Sequence, residues 1–412
     1  MILPSPSSRP RVRFATTLLS AAVLLGCLAS GAGAAEGPQP PGPAASGARW
    51  IVDSLSPAGL LPSPTDPSQP SPTATAQAVS ALVATGGGAE AVDRMLDALA
   101  PLVDDIATEG GTDSAGGLGT LIGAVVAGGR DPRAFGVPPG DLVARLVALR
   151  RPDGLFGLAD PTYDGTYRQG LALLGLRAAG ETDDLALDWL EDQQCASGLW
   201  TSFRADTSVP CPPADAAAYT GPDSNSTALA VMALSAHGRV ASAAAGVSAL
   251  LATRAANGGW SFILGTDMET DAASTALVAM ALRTVNGSAD TEALEALVRF
   301  QAPCSAPVAD RGGVAYQPGS DGSLVPDAGS TNAAVIAFAQ SPLPVPSRTL
   351  GPLAADPCAP PAPVPADSTT TTTAASGAGP ELPRTGTSNR IPVLGLTVLG
   401  LGIVLHLTAR RR

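Results

Sequence analysis

The feature that most constrains this chain is a regular alternation between two kinds of helix along its middle. One kind consists of small and apolar residues on nearly every side, so it has to be buried on nearly every side. The clearest example covers 270–282 and follows the segment 257–262, in which a glycine turn precedes an aromatic residue. The sequence predicts six such helices, at 73–84, 114–127, 166–179, 224–236, 270–282 and 330–340.

The second kind of helix is apolar on one side only, and one of them precedes each small-residue helix. In 89–102, for example, Val92, Met95 and Leu99 form one stripe, while Glu90 and Asp93 lie on the other face. This spacing is typical of a half-exposed helix. The sequence predicts six of these, at 48–55, 89–102, 140–150, 182–194, 242–254 and 291–301.

Twelve helices that alternate in this way pack economically as two rings, with the apolar set inside. An open solenoid would need polar terminal repeats, and neither 73–84 nor 330–340 is polar. Five connections also place glycine at the chain reversal and a bulky residue after it, at 58–60, 153–157, 197–200, 257–260 and 311–316; the unit at 109–111 is degenerate. We therefore predict an all-α fold, an (α/α)6 toroid of six helical hairpins over residues 44–340.

This unit resembles the prenyltransferase and squalene-oxidase repeat, which is shared by protein prenyltransferase β-subunits, triterpene cyclases, complement thioester domains and intrinsic-factor-type cobalamin carriers. The resemblance covers roughly residues 44–340 and implies the toroid fold, but it does not imply one activity. No predicted inner helix begins with the Asp-x-Cys zinc ligands, and the Asp-x-Asp-Asp acid and the Cys-Gly-Glu-Gln thioester of these families are missing. His237 is predicted to cap a helix C-terminus rather than bind metal. We therefore expect no metal site and no cofactor.

Acidic residues lie at or near the starts of the inner helices, where N-caps of a toroid gather at one rim. Asp113 is one of them, and the chemically varied segment 163–169 contains another. The residues that we predict to bind a ligand at this rim are Asp164, Tyr167, Arg168, Asp223, Trp260, Asp271 and Asp327. Because the catalytic signatures are missing, the sequence predicts a non-catalytic binding module for an unknown ligand, such as a cobalamin, a glycan or a protein. Two alternatives remain: a glycan-active hydrolase or lyase with two carboxylates across the mouth, and a purely structural surface protein.

Both ends of the chain are typical of an exported protein. Three arginines precede the apolar run 14–28 and the small residues 32–34, which predicts a signal peptide over 1–34 and a short linker over 35–43. Residues 341–381 are rich in proline, alanine and threonine and are predicted to form an extended stalk.

The last segment, 382–412, resembles the LPxTG cell-wall sorting signal of Gram-positive bacteria. An apolar stretch at 391–407 and three terminal arginines follow the motif, as the signal requires. The resemblance implies that a sortase cuts after Thr385 and joins it to peptidoglycan, so that a membrane holds the chain only before sorting. The motif consists of Leu382, Pro383, Arg384, Thr385 and Gly386.

Charge and cysteine content agree with export. The chain has 24 basic residues, all arginine, 36 acidic residues and a net charge of −12, which disfavours nucleic acid and anionic lipid as partners. After the leader, four cysteines remain, and an even number suits an oxidising compartment. Three pairings are possible. Because Cys195 and Cys211 flank a proline-containing loop, we predict that they pair, and that Cys304 pairs with Cys358.

Overall fold

The computed structural model describes residues 42–157 and 164–358, and this part of the chain is almost entirely helical. The predicted signal peptide and the sorting signal lie outside the described residues. Within the described part, no helix is long and apolar enough to cross a membrane.

Six helices form an inner ring, and six others surround it. The inner helices are α2 (Pro72–Thr85), α5 (Ala115–Ala127), α7 (Thr166–Ala178), α9 (Ser224–Ala236), α11 (Ala272–Asn286) and α13 (Ala328–Phe338). The outer helices are α1 (Pro43–Asp53), α3 (Ala89–Leu99), α6 (Leu142–Ala148), α8 (Asp184–Asp192), α10 (Val240–Ala252) and α12 (Thr291–Val298). A 3-10 turn (Ala100–Leu102) and the short helix α4 (Val103–Ala107) extend the second outer helix.

The inner ring is closed. Each inner helix packs against the next one in chain order, and α13 packs back against α2. At this seam, the side-chain amide of Asn332 donates to the carbonyl of Ala74 at 2.8 Å, and that of Gln301 donates to the carbonyl of Pro43 at 2.9 Å. The predicted α/α toroid is therefore confirmed, with the small-residue helices inside.

Side-chain composition explains why each helix takes its place. Every residue of α9 from Ser226 to Leu234 is buried, since alanine, serine and threonine let neighbouring helices approach closely. On α3, by contrast, only the stripe that includes Val92, Met95 and Leu99 is buried. The inner and outer classes read from the sequence thus correspond to full and one-sided burial.

The glycine turns between outer and inner helices are also confirmed. In the five regular turns, the glycines have φ between 78° and 95°, a conformation that other residues rarely adopt: Gly59, Gly154, Gly198, Gly258 and Gly312. The residue two positions later donates its N–H to the side chain at the fourth position of the following inner helix: Leu61 to Thr75, Phe156 to Gln169, Trp200 to Thr227, Trp260 to Thr275 and Val314 to Thr331. These bonds fix each turn against its inner helix.

The two tryptophans in these turns also bind the outer helices. Trp200 and Trp260 are fully buried, and each indole N–H donates at 2.8 Å to a carbonyl of the preceding outer helix, that of Leu190 or Leu250. A tryptophan here therefore joins an outer helix, a turn and an inner helix at one point.

The degenerate unit forms a small hairpin instead of a regular turn. Strand β1 (Thr108–Glu109) pairs antiparallel with β2 (Thr112–Asp113). Gly110 and Gly111 between them have φ of 59° and 84°. Two successive positive φ values are those of a type I′ hairpin turn.

Residues 341–358, which the sequence analysis assigned to the stalk, lie against the toroid. Val345 is buried in the core, and Gly351 forms a backbone bridge with Gly87. The guanidinium of Arg348 donates to the carbonyl of Ala84 at the end of α2. This segment, which we call the strap, therefore belongs to the folded domain.

Both predicted disulfides are present. Cys195 pairs with Cys211 within one loop, and Cys304 pairs with Cys358. The second bond joins the end of the strap to the turn after α12. Since the strap also contacts the end of α2, it connects the first hairpin of the ring with the last.

Candidate functional site

The N-termini of the inner helices form one rim of the toroid, because every inner helix follows an outer helix through a turn and all six are parallel. Aspartates cap three of them: Asp223 on α9, Asp271 on α11 and Asp327 on α13. In each case Oδ1 accepts the backbone N–H three residues later, at 2.7, 2.7 and 2.8 Å. The N-cap role predicted for these residues is confirmed.

The turns hold these three aspartates in place. The backbone N–H of Asp223 donates to the carbonyl of Trp200 at 3.0 Å, and that of Asp271 donates to the carbonyl of Trp260 at 3.1 Å. Asp327 makes the same bond with Val314 at 3.1 Å. The carboxyl groups at the rim are therefore fixed through the buried residues of the turns.

Burial changes the acidity of these carboxyl groups. Asp223 is 3% exposed and Asp271 is 1% exposed. Loss of hydration disfavours the charged form and raises the pKa of each carboxyl to about 6, although the bonds from N–H and hydroxyl groups oppose this shift. Burial also raises the pKa of Asp327. Two neighbouring inner helices thus carry carboxyl groups that titrate close to neutral pH.

Aromatic side chains surround these acids. Burial and the nearby carboxyl of Asp271 raise the pKa of the Tyr316 phenol, which hydrogen-bonds to that carboxyl. Tyr219 is 57% exposed, and its ring centre lies 6.4 Å from that of Phe262. The backbone places two of these aromatics at the rim, since Ala272 N–H donates to the carbonyl of Tyr316 at 2.9 Å and Ser224 N–H donates to the carbonyl of Phe262 at 2.9 Å.

The start of α7 adds a phenol and an ion pair. Tyr167 is 40% exposed, yet burial and the carboxyl of Asp223 raise the pKa of its phenol. Tyr167 is thus partly exposed while its phenol group is desolvated, as is typical of a side chain that lines a concave surface. Arg168 forms ion pairs with Glu109 at 2.5 Å and with Asp164 at 3.8 Å. Tyr163, the other phenol of this segment, lies outside the described residues.

At the rim, one face of the inner helices stays partly exposed, and we call this face the funnel. The second and sixth residues of an inner helix lie on one face, and on several of these otherwise buried helices they stay partly exposed. Because neighbours and outer helices cover the other faces, this face points to the ring axis. The partly exposed residues at these positions are Thr73 and Gln77 on α2, Thr120 on α5, Tyr167 and Leu171 on α7, Asn225 on α9, Ala273 and Leu277 on α11, and Gly329 and Ala333 on α13.

The ninth residues of the inner helices close most of the funnel. Four of them are almost completely buried: Leu174, Met232, Met280 and Ile336. On α2 and α5, the ninth residues are Ser80 and Gly123, and they remain partly exposed. The funnel therefore has an apolar floor on one side and a polar wall on the side of α2 and α5.

The structure brings together most of the residues that the sequence predicted for a ligand site. Asp164, Tyr167, Arg168, Asp223, Asp271 and Asp327 all lie at the rim. Trp260 does not, because it is fully buried and its indole bonds to the carbonyl of Leu250. An aromatic residue after a glycine turn can either pack inside the turn or line the rim, and only its tertiary contacts show which of the two it does.

Two kinds of rim residue were missed. Tyr316 was interpreted as part of a turn, but Val314 holds that position, and Tyr316 reaches Asp271 instead. Gln77 and Ser80 were also missed, although their spacing on an inner helix that is otherwise apolar was a usable signal.

His237 lies at the opposite end of the inner ring from the rim acids. It is the C-cap of α9, as predicted, and its Nε2 lies 3.0 Å from the carbonyl of Leu173. Among the described residues, no group of three or more His, Cys, Asp or Glu side chains could hold a metal ion.

Two surface clefts lie away from the funnel. One, of about 500 Å³, lies between the turn at Gly198 and α10 and includes Ser248. The other, of about 260 Å³, lies between the 3-10 turn and α6 and includes Val137 and Arg145. Neither contains the rim acids.

Comparison with solved structures finds the same toroid in other proteins. An unsaturated glucuronyl hydrolase specific for heparin is 12% identical with a TM-score of 0.54, and the match covers 72% of this chain and 95% of that one. The type II terpene cyclase MstE from Scytonema is 16% identical with a TM-score of 0.49, over 72% of this chain and 96% of that one. An ent-copalyl diphosphate synthase from Streptomyces platensis is 20% identical with a TM-score of 0.44; the match covers 65% of this chain but only half of the synthase. No family model and no curated protein sequence matches this chain.

These comparisons correct one sequence-based prediction. The glucuronyl hydrolase, which shares the toroid at a TM-score of 0.54, is an enzyme, and the prediction of a non-catalytic binding module is contradicted by this comparison. The alternative stated with it, a glycan-active enzyme, agrees better with the comparisons. The missing family signatures excluded particular reactions, but they did not exclude catalysis by other residues at the same rim.

Proposed function

We propose that this protein is an enzyme that cleaves a glycan at the rim of its toroid, as a hydrolase or a lyase. The observation that carries the proposal is the pair of buried carboxyl groups on Asp223 and Asp271, whose pKa values lie at about 6. Glycoside cleavage commonly needs one carboxyl that is protonated and one that is ionised. A carboxyl with a pKa near the working pH can serve as acid or base.

The adjacency of the two helices suits this chemistry. Asp223 and Asp271 cap α9 and α11, which pack directly against each other. Glycoside cleavage uses two carboxyl groups that flank the scissile bond, and two caps on adjoining inner helices share one part of the rim. In a hydrolase, one carboxyl would donate a proton to the leaving oxygen while the other accepts a proton from the attacking water. In a lyase, the carboxylate would take a proton from carbon beside an acidifying group.

The residues around Asp223 and Asp271 add two features that glycan cleavage needs: a difference between the two acids, and a surface that binds a sugar. Tyr316 donates a hydrogen bond to the carboxyl of Asp271, which favours the ionised form there and distinguishes the two acids. Tyr219 and Phe262 offer exposed aromatic surface beside them, and such rings bind the apolar faces of sugars. Glycan chemistry on the same fold is known from the glucuronyl hydrolase. A terpene cyclisation is less well supported, because the chain lacks the Asp-x-Asp-Asp acid.

We further propose that the enzyme is displayed on the wall of a Gram-positive bacterium. The support is the sequence alone: the predicted signal peptide, the motif 382–386 and the apolar segment that follows it. A sortase would join Thr385 to peptidoglycan. Digestion of purified walls should release a peptide that ends at Thr385 with a peptidoglycan fragment attached, and detection of intact residues 382–412 in wall-bound protein would refute the proposal.

The proposed activity is tested with the full chain and a panel of neutral and acidic oligosaccharides. New reducing ends report hydrolysis, and ultraviolet absorbance of an unsaturated product reports a lyase. We expect Asp223→Asn and Asp271→Asn each to lower kcat/KM at least about 100-fold, the scale of a lost acid or base.

Asp141→Asn is the matched control, since Asp141 caps the outer helix α6 in the same way, with Oδ1 accepting from Ala144 N–H at 2.9 Å. It should keep full activity. Turnover that survives both rim substitutions would refute the assignment of these two residues, and no turnover of any glycan would refute the enzyme proposal.

A further inference from the structure

We propose that the funnel selects uncharged sugars, which it binds through Gln77, Ser80 and Thr120 on the wall opposite the two acids, and that it excludes acidic sugars. This inference rests on the proposed function and names its substrate class; it applies to the hydrolase form, because elimination by a lyase needs the acidifying carboxyl group of a uronate.

The order of helices in the ring places this wall across from the acids. Around the closed ring, the order is α2, α5, α7, α9, α11 and α13. In a ring of six, α2 therefore faces α9, and α5 faces α11. Gln77 and Ser80 thus lie on the helix opposite Asp223, and Thr120 lies on the helix opposite Asp271. A sugar that spans the funnel would reach carboxyl groups on one side and neutral polar groups on the other.

The polar groups of this wall are unused by the protein. Gln77, Ser80 and Thr120 are partly exposed, and their side chains form no hydrogen bond with any other residue in the described part of the chain. By contrast, Gln169, on the next inner helix after α5, is fully buried and bonds to Phe156, Gly154 and Ala186. An amide and two hydroxyls are left to donate and accept hydrogen bonds within a concave surface.

The rest of the funnel suits the other half of a sugar. Leu171 on α7 and Leu277 on α11 are partly exposed in the funnel, and Met232 on α9 and Met280 on α11 are buried at its floor. Sugars have a hydroxyl-bearing edge and an apolar face of C–H groups. A funnel with one polar and one apolar wall can contact both at once.

The charges at the rim disfavour acidic sugars. Asp164, Asp223, Asp271 and Asp327 all lie there. Arg168, at the start of α7, is already paired with Glu109 and Asp164, and Arg145, on the outer helix α6, is paired with Asp113 and Asp104. A uronate at the rim would bring its carboxylate towards these carboxyl groups, and no unpaired arginine lies at the described inner-helix starts to receive it.

Direct binding to the full chain tests this inference without turnover. We use the Asp271→Asn variant, which should be inactive, and titrate it calorimetrically with maltotetraose, cellotetraose, chitotetraose and tetragalacturonate. We expect at least one of the three neutral tetrasaccharides to bind and tetragalacturonate not to bind. Adding Gln77→Ala should weaken neutral binding about tenfold, and adding Gln77→Arg should create binding of tetragalacturonate.

Ser248→Ala is the control for binding elsewhere, because Ser248 lines the outer cleft. It should leave the affinity unchanged. Circular dichroism melting checks that each variant folds, and alanine at position 77 of a helix should be tolerated.

The outcomes separate this inference from the enzyme proposal. Three outcomes would overturn the inference. Tetragalacturonate could bind to a variant that lacks Gln77→Arg, or no neutral tetrasaccharide could bind at all. Alternatively, Ser248→Ala could abolish binding while Gln77→Ala does not. Neutral binding without turnover in the wild type would refute the enzyme proposal alone, whereas turnover of acidic glycans only would refute the inference alone.

Discussion

Replacing Asp223 with asparagine should make the protein more stable at neutral pH. Asparagine is about as good an N-cap as aspartate, and its side-chain oxygen can still accept the N–H of Ser226. The substitution removes a charge from a residue that is 3% exposed. Residues that are kept for catalysis often cost stability in this way.

The magnitude follows from the pKa of the carboxyl. Folding raises that pKa from 3.8 to about 6 because burial disfavours the ionised form. A shift of about two units corresponds to about 3 kcal/mol. Below about pH 4 the group is protonated in both states and costs nothing; the cost grows between about pH 4 and 6 and is constant above. Asp223→Asn should therefore add about 3 kcal/mol to the free energy of unfolding at pH 7.5, and almost nothing at pH 3.5.

Urea unfolding of the full chain at both pH values measures this difference, with disulfides intact. For a domain of this size, 3 kcal/mol corresponds to a rise of roughly 4–5 °C in Tm. The control Asp141→Asn should change stability by less than about 0.5 kcal/mol at either pH, because Asp141 is a partly exposed cap. A destabilised Asp223→Asn at pH 7.5, or an equal gain at both pH values, would refute the argument that burial sets this pKa.

Three other predictions follow from the contacts. If Asp223 and Asp271 act as a pair with pKa values of about 6, kcat/KM should be highest near pH 6 and fall on both sides, and a rate that is flat from pH 4 to 8 would contradict their role. Gln169→Leu should lower the free energy of unfolding in urea by about 3 kcal/mol or more, because it leaves three buried backbone groups without their hydrogen bonds. The control Gln77→Leu should cost less than about 1 kcal/mol. Equal effects of the two substitutions would show that Gln169 and Gln77 do not differ in their hydrogen bonding. Replacing Cys304 and Cys358 together by serine should lower the free energy of unfolding by about 4 kcal/mol, because the bond closes a separation of 54 residues; the same change at Cys195 and Cys211, with a separation of 16, should cost about 3 kcal/mol. Limited proteolysis of the Cys304/Cys358 variant should then cut the strap first. A strap that stays protected would show that the disulfide does not hold it.

Local sequence patterns were sufficient for the architecture. Helix type depends on which faces of a helix are apolar, and this can be read from the spacing of residues within one segment. The glycine turns, the aspartate N-caps and the cap at His237 are local as well, since each depends on residues within a few positions of one another. Six repeats of one pattern then left a closed ring as the economical packing, and the contact between α13 and α2 confirms it.

The strap shows where local patterns stopped being informative. Val345, Leu350 and Leu353 pack against the core, but their spacing follows neither a helix nor a strand, and the surrounding prolines indicated an extended stalk. The contacts of this segment from Arg348 to Ala84 and from Gly351 to Gly87 join residues more than 250 positions apart, so no short window of sequence contains them.

The chemistry of the rim was likewise decided by the tertiary structure. The sequence by itself determined that acids would gather at the starts of the inner helices; Asp223, Asp271 and Asp327 are local caps, whereas Ser114 and Gly165 take the cap positions next to Asp113 and Asp164. Only the folded ring decided that Asp223 and Asp271 are buried enough to titrate near neutral pH, that Tyr316 reaches Asp271 while Trp260 does not reach the rim, and that Gln77 lies opposite the acids. Acidity and proximity depend on what surrounds a side chain in space, and in a ring of helices those surroundings come from residues far apart in the chain.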